Sequence, residues 1–71
     1  MTKLQKLLEI EGCTNITELL AACIRDSVNP AICTNDGCNY TAGMEPDQDR
    51  GFCEECRTNT MKSAMVLAGV I

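Results

Sequence analysis

Cys33-Thr-Asn-Asp-Gly-Cys38, then fourteen residues, then Cys53-Glu-Glu-Cys56: the reading of the chain turns on this arrangement. Two close thiol pairs, one spaced by four residues and one by two, match the paired knuckles of four-cysteine zinc sites. The reason is geometric. Each short loop turns two thiolates toward one point, and two such loops complete a tetrahedron. Backbone N–H groups in the loops can donate to the sulfurs and moderate their charge. Asp36-Gly37 supplies turn chemistry inside the first loop. The candidate ligands are therefore Cys33, Cys38, Cys53 and Cys56, around one structural Zn2+.

Between the pairs, Asn39-Tyr-Thr-Ala-Gly-Met44 reads as a short strand and Glu45-Pro-Asp-Gln-Asp-Arg-Gly51 as a polar turn. Tyr40 and Phe52 flank the inner cysteines and are expected to cover the metal site across a hairpin. Zinc competes with three other readings. Disulfides fit an even cysteine count, but the start of the chain carries no continuous apolar stretch of a secretory signal, and reducing compartments keep thiols free. A redox Cys-x-x-Cys is opposed by its two flanking glutamates, which raise thiol pKa values. Tetrathiolate iron is the third, for which the first spacing is unusual. Asp47 and Asp49 suggest a calcium loop, but its twelfth position is Thr58 rather than the bidentate glutamate required.

The flanks of the cysteine-rich stretch read as helical. Over residues 1–29, Leu4, Leu7 and Leu8 form one apolar stripe, stopped by Gly12. Ile16, Leu19, Leu20, Cys23 and Ile24 form a second, opened by Asn15 with Glu18 in a capping-box arrangement and closed by Asn29-Pro30. An αα-hairpin is the natural outcome. A DNA-reading helix-turn-helix is disfavoured, because Arg25 is the only cation on the second helix. Cys13 and Cys23 lack companions for a second metal site and read as packing residues. Over residues 59–71, Thr58, Asn59 and Thr60 offer caps, and Met61–Ala68 reads as about two turns of helix. Its positive end is expected near the Cys56 thiolate. Ala64–Ile71, apolar on every side, is expected to pack on the leucine stripe, with Met65, Leu67, Val70 and Ile71 as an alternative docking or dimer surface.

Composition sets the outer bounds. Seventy-one residues and 7.7 kDa allow one domain spanning 1–71, with a helical hairpin (1–29), knuckles (31–58) and a C-terminal helix (59–71). So short a chain usually needs a staple, and six cysteines provide one. The longest apolar run, Ala64–Ile71, is eight residues, well short of the roughly twenty that span a bilayer. A cytoplasmic location is the expectation. The net charge is −4, and four thiolates around a divalent ion bring it near −6. Six of the ten acids lie in the cysteine-rich half, and between the first and last of them, Asp36 and Glu55, Arg50 is the only base, so a phosphate-binding face there is disfavoured.

The two pairs with the segment that follows resemble zinc-ribbon and treble-clef proteins. More narrowly, Asp26-Ser-Val-Asn-Pro, Ile32-Cys33, Glu45-Pro-Asp-Gln, Cys53-Glu-Glu-Cys56, Lys62-Ser-Ala and Leu67-Ala-Gly resemble a group of short proteins of bacteriophages and bacteria. That likeness implies metal binding and a viral origin, and no activity. The fold class expected is small α+β: an N-terminal helical hairpin, a zinc-ribbon-like β-hairpin with four cysteines, and a short C-terminal helix. Catalysis is not expected, since the chain has no His and four thiolates leave no open position on the metal. A protein-interaction or regulatory accessory module is the favoured function, with a protein partner or a second copy. A nucleic-acid-binding transcription or replication regulator is the alternative.

Overall fold

The computed structural model describes residues 2–25 and 28–70, with Ile24 and Arg25 by backbone alone. The readings placed on the side chains of Ile24, Arg25, Asp26 and Ile71 lie outside it. The described chain is a small α+β fold. Two helices, α1 (Lys3–Glu11) and α2 (Ile16–Arg25), precede four strands: β1 (Asn29–Cys33), β2 (Thr41–Met44), β3 (Gly51–Cys53) and β4 (Thr58–Ser63). A single turn, α3 (Ala64–Leu67), follows.

Local chemistry explains both helix starts. The backbone N–H of Gln5 donates to Thr2 Oγ1 at 3.1 Å, and that of Thr2 donates to Gln5 Oε1 at 2.8 Å, a complete capping box. Gly12 closes α1 with φ 73°, as its freedom from a Cβ allows. Asn15 Oδ1 accepts from the Glu18 N–H at 2.9 Å. The Glu18 carboxylate does not complete a box with Asn15; it accepts from the Thr14 hydroxyl at 2.7 Å.

Two expectations are corrected by strand pairing. The second helix does not run to Asn29-Pro30. The described helix is Ile16–Arg25, and Asn29–Cys33 is a strand pairing antiparallel with β2 and with β4. Pro30 fits there because the Cys33 N–H donates to the Tyr40 carbonyl, so by alternation Pro30 faces the other side, where β4 has already ended. The C-terminal helix is one turn rather than two. Thr58, Asn59, Thr60, Met61, Lys62 and Ser63 form β4, where pairing with β1 on one side and β3 on the other outweighs the helical preference of Met61-Lys-Ser-Ala. The cap of α3 is Ser63, whose Oγ accepts from the Val66 N–H at 3.2 Å.

The sheet order is β2-β1-β4-β3. Because strand side chains alternate, β1 serves two cores at once. Ile32 faces the helices and packs with Leu7, Leu19, Cys23 and Ala64, flanked by Leu4, Leu8, Met65 and Leu67. Ala31 and Cys33 face the other way, with Cys53 and Met61. The C-terminal turn thus packs on the leucine stripe of α1, as its all-round apolarity implied, while Val70 stands exposed.

Candidate metal centre

Each cysteine pair forms the connection of one β-hairpin. Cys33 ends β1, and the turn through Gly37 (φ 79°) brings Cys38 back before β2. Cys53 ends β3, and the turn to Cys56 leads into β4. That second turn closes with the Arg57 N–H donating to the Cys53 carbonyl at 2.7 Å and Arg57 in the left-handed region at φ 57°. Pairing of β1 with β4 then joins the hairpins and sets the two turns together.

The four sulfurs lie within 4.8 Å of one another. Cys33 Sγ is 3.9 Å from Cys56 Sγ, and Cys38 Sγ is 3.7 Å from Cys53 Sγ. A disulfide holds its sulfurs about 2 Å apart, so these two pairs are not bridges. Metal–sulfur bonds of about 2.3 Å in a tetrahedron place neighbouring sulfurs about 3.8 Å apart. These two edges match that spacing and the remaining ones close within 4.8 Å, so the residues fit a tetrathiolate ion. Cys33 and Cys53 are fully buried, while Cys38 and Cys56 are partly exposed.

Hydrogen-bond donors surround the sulfurs. Cys53 Sγ accepts from the Cys56 N–H at 3.4 Å, and the backbone N–H groups of Asn35 and Tyr40 favour the thiolate at Cys33 and Cys38 respectively. The loops therefore supply the donors that the spacing called for. Thr60 Oγ1 lies 3.1 Å from Cys33 Sγ. Lys3 Nζ donates to the Cys38 carbonyl and ties α1 to the first knuckle. Neither Thr60 nor Lys3 was identified in the sequence as belonging to the site, because nothing local marks a contact across 27 or 35 positions.

Without a cation, four thiols so close cannot all ionise. Burial raises the Cys33 thiol, but the Thr60 hydroxyl, the Asn35 N–H and its thiol neighbours outweigh that and bring it down to about 7. At Cys38 the Tyr40 N–H favours the thiolate, yet Cys56, burial, Cys33 and Cys53 together push it up to about 12. Tyr40 itself is raised, first by the Glu54 charge, to which its hydroxyl donates at 3.3 Å.

Two expectations about the surroundings are revised. Tyr40 packs against the sulfur side of the sheet, as expected, but Phe52 is 52% exposed because Gly51 and Cys53 take the inward positions on β3. No helix end lies next to Cys56, since β4 follows that turn and α3 packs into the opposite core. Asp47 and Asp49 belong to no ligand cluster; among the described residues the four cysteines form the one set able to hold an ion. Cys23 is buried in the helix-side core with Cys13 against it, in line with a packing role.

No protein-family model, curated protein or solved structure matches this chain. The likeness to phage and bacterial proteins therefore rests on the quoted motifs alone. Among the described residues, no helix is long and apolar enough to cross a membrane.

Proposed function

We propose that Cys33, Cys38, Cys53 and Cys56 bind one structural Zn2+ as thiolates and that the protein is a small, non-enzymatic interaction or regulatory accessory module. The observation carrying this reading is the sulfur spacing, two edges of 3.7 and 3.9 Å in a set closed within 4.8 Å. Four thiolates fill a tetrahedral shell and leave no position for water, so the ion supports the fold rather than a reaction. Each pair tips a hairpin and the second is followed by a strand, which favours a zinc-ribbon arrangement over a treble clef. The phage origin and the protein partner are proposed on the motif resemblance and on the acidic surface, and a cytoplasmic site of action on the free thiols.

Elemental analysis of purified protein, with Cys56→Ser beside it, tests the metal. One zinc per chain, lost in the variant, is the expected result; a folded chain without bound metal refutes the reading, and iron in its place corrects the ion. Gel shifts with DNA and RNA test the module. Salt-sensitive binding would replace the interaction reading with the nucleic-acid one, against which the net charge of −4 argues.

A further inference from the structure

Thr60 owes its position to an irregularity in the sheet. Along β3 and β4, Gly51 pairs with Met61 and Phe52 with Asn59, so one step on β3 spans two on β4 and Thr60 is the extra residue of a bulge. Bulges re-aim side chains, and this one is fastened from β1's end: the backbone N–H and the hydroxyl of Thr34 each donate to the Thr60 carbonyl at 2.8 Å. The Thr60 hydroxyl then sits 3.1 Å from Cys33 Sγ. Behind it, Thr58 Oγ1 lies 3.1 Å from Thr60 Oγ1, and Asn35 Nδ2 donates to Thr58 Oγ1 at 3.3 Å.

A metal-bound thiolate can only accept a hydrogen bond. With Cys33 as acceptor, Thr60 must donate to sulfur, which leaves its oxygen to accept from Thr58. Thr58 in turn accepts from the Asn35 amide. Every group in the chain is then satisfied in one direction, running from Asn35 through Thr58 and Thr60 to Cys33. Asn35 and Cys33 both belong to the first knuckle, so the chain begins and ends there and crosses β4 between.

We propose that Thr60 is a positioning residue for the metal centre, its bulge-directed hydroxyl donating to the Cys33 thiolate and orienting it toward the ion, with Thr58 and Asn35 fixing the direction of that donation. The proposal rests on the reading of the four cysteines as metal ligands. Outer hydrogen-bond partners of metal ligands typically contribute about 10–100-fold in affinity, and a single neutral hydroxyl belongs at the lower end.

Cobalt(II) serves as the probe, because its thiolate charge-transfer band reports the electron density on sulfur. Wild-type protein, Thr60→Val, Thr60→Ser and Thr58→Val are titrated with Co2+, and bound Co2+ is then displaced by Zn2+ in competition with a chelator. Thr60→Val is expected to weaken metal affinity about tenfold and to move the charge-transfer band to lower energy, since an unbonded thiolate is easier to oxidise. Thr60→Ser restores both, and Thr58→Val, which keeps the Thr60 hydroxyl, gives a smaller shift in the same direction. Should Thr60→Val fail to fold, the serine and Thr58 variants carry the test: a wild-type band in Thr60→Ser with a shifted one in Thr58→Val supports the chain. Wild-type affinity and band position in Thr60→Val, or in Thr58→Val where that variant must decide, overturn the proposal while leaving the metal reading intact. Absence of any cobalt thiolate band in the wild type refutes the metal reading instead.

Discussion

Stripping the metal from the intact protein is expected to melt the helices as well as the knuckles. The reason lies in β1, where Ile32 belongs to the helix-side core and its neighbours Ala31 and Cys33 to the sulfur-side core. A strand cannot lose order at Cys33 and keep it one residue earlier, so the two cores share one cooperative unit. Magnitudes decide the outcome. A 71-residue domain has a net stability of roughly 4–11 kcal/mol at about 0.05–0.15 kcal/mol per residue. A structural zinc site contributes about 10–16 kcal/mol of apparent binding free energy at neutral pH. Removing the second quantity exhausts the first, and the helix-side core alone, with Leu7, Leu19 and Ile32 its large fully buried aliphatics among the described residues, is too small to hold α1 and α2. The assay is circular dichroism near 222 nm during titration with a strong chelator under reducing conditions, with released zinc read in parallel by a chromogenic dye. Helical signal and zinc content should fall together with one midpoint, and zinc should restore both. Helices that persist at full signal after the metal has left would show the two cores to be independent and refute the reasoning.

Three further outcomes follow from the same structure. Leu7→Ala, at a fully buried position, should lower stability by about 2–5 kcal/mol in chemical denaturation of the zinc-loaded protein, whereas Cys23→Ala should lose about 1 kcal/mol; equal losses would contradict the packing assignment. Metal uptake should strengthen as pH rises from about 5 to 8 and should release protons, because Cys38, raised to about 12, is protonated at neutral pH in the metal-free arrangement, while Cys33, lowered to about 7, becomes protonated below that value. Cobalt titrations in lightly buffered solution with a pH indicator measure both, and affinity that stays flat across this range would exclude thiolate ligation. Gly51→Ala should destabilise by about 1–3 kcal/mol in thermal melts. Its new methyl would overlap the Met44 side chain, which can swing away, but would also stand 3.0 Å from Met61 Cβ, which cannot; an unchanged melt would show that β3 and β4 are less closely packed than described.

The charge pattern of the four sulfurs also bears on what a bound ion would supply. Two donors, the Thr60 hydroxyl and the Asn35 N–H, favour one thiolate at Cys33, and that same charge then opposes ionisation at Cys38. Backbone donors and hydroxyls can stabilise a single negative sulfur. Holding four requires a cation.

The amino-acid order by itself determined which four cysteines come together, the two helices and the glycine stop of the first, and the turn residues of the first knuckle. These are short-range matters: thiols two to four residues apart share a loop, apolar residues three and four apart share a helix face, and Gly12 ends α1 through its own backbone freedom. Tertiary structure alone decided the sheet. Asn29–Cys33 and Thr58–Ser63 are strands because each finds the other across about thirty positions, and residues 61–63, helical by local preference, were claimed by that pairing. It also decided that Phe52 faces outward and that Thr60 faces Cys33, since both orientations depend on register and on a bulge between β3 and β4. Strand pairing is settled by partners distant along the chain, and no local pattern around Thr60 carries the distance to a sulfur 27 residues away.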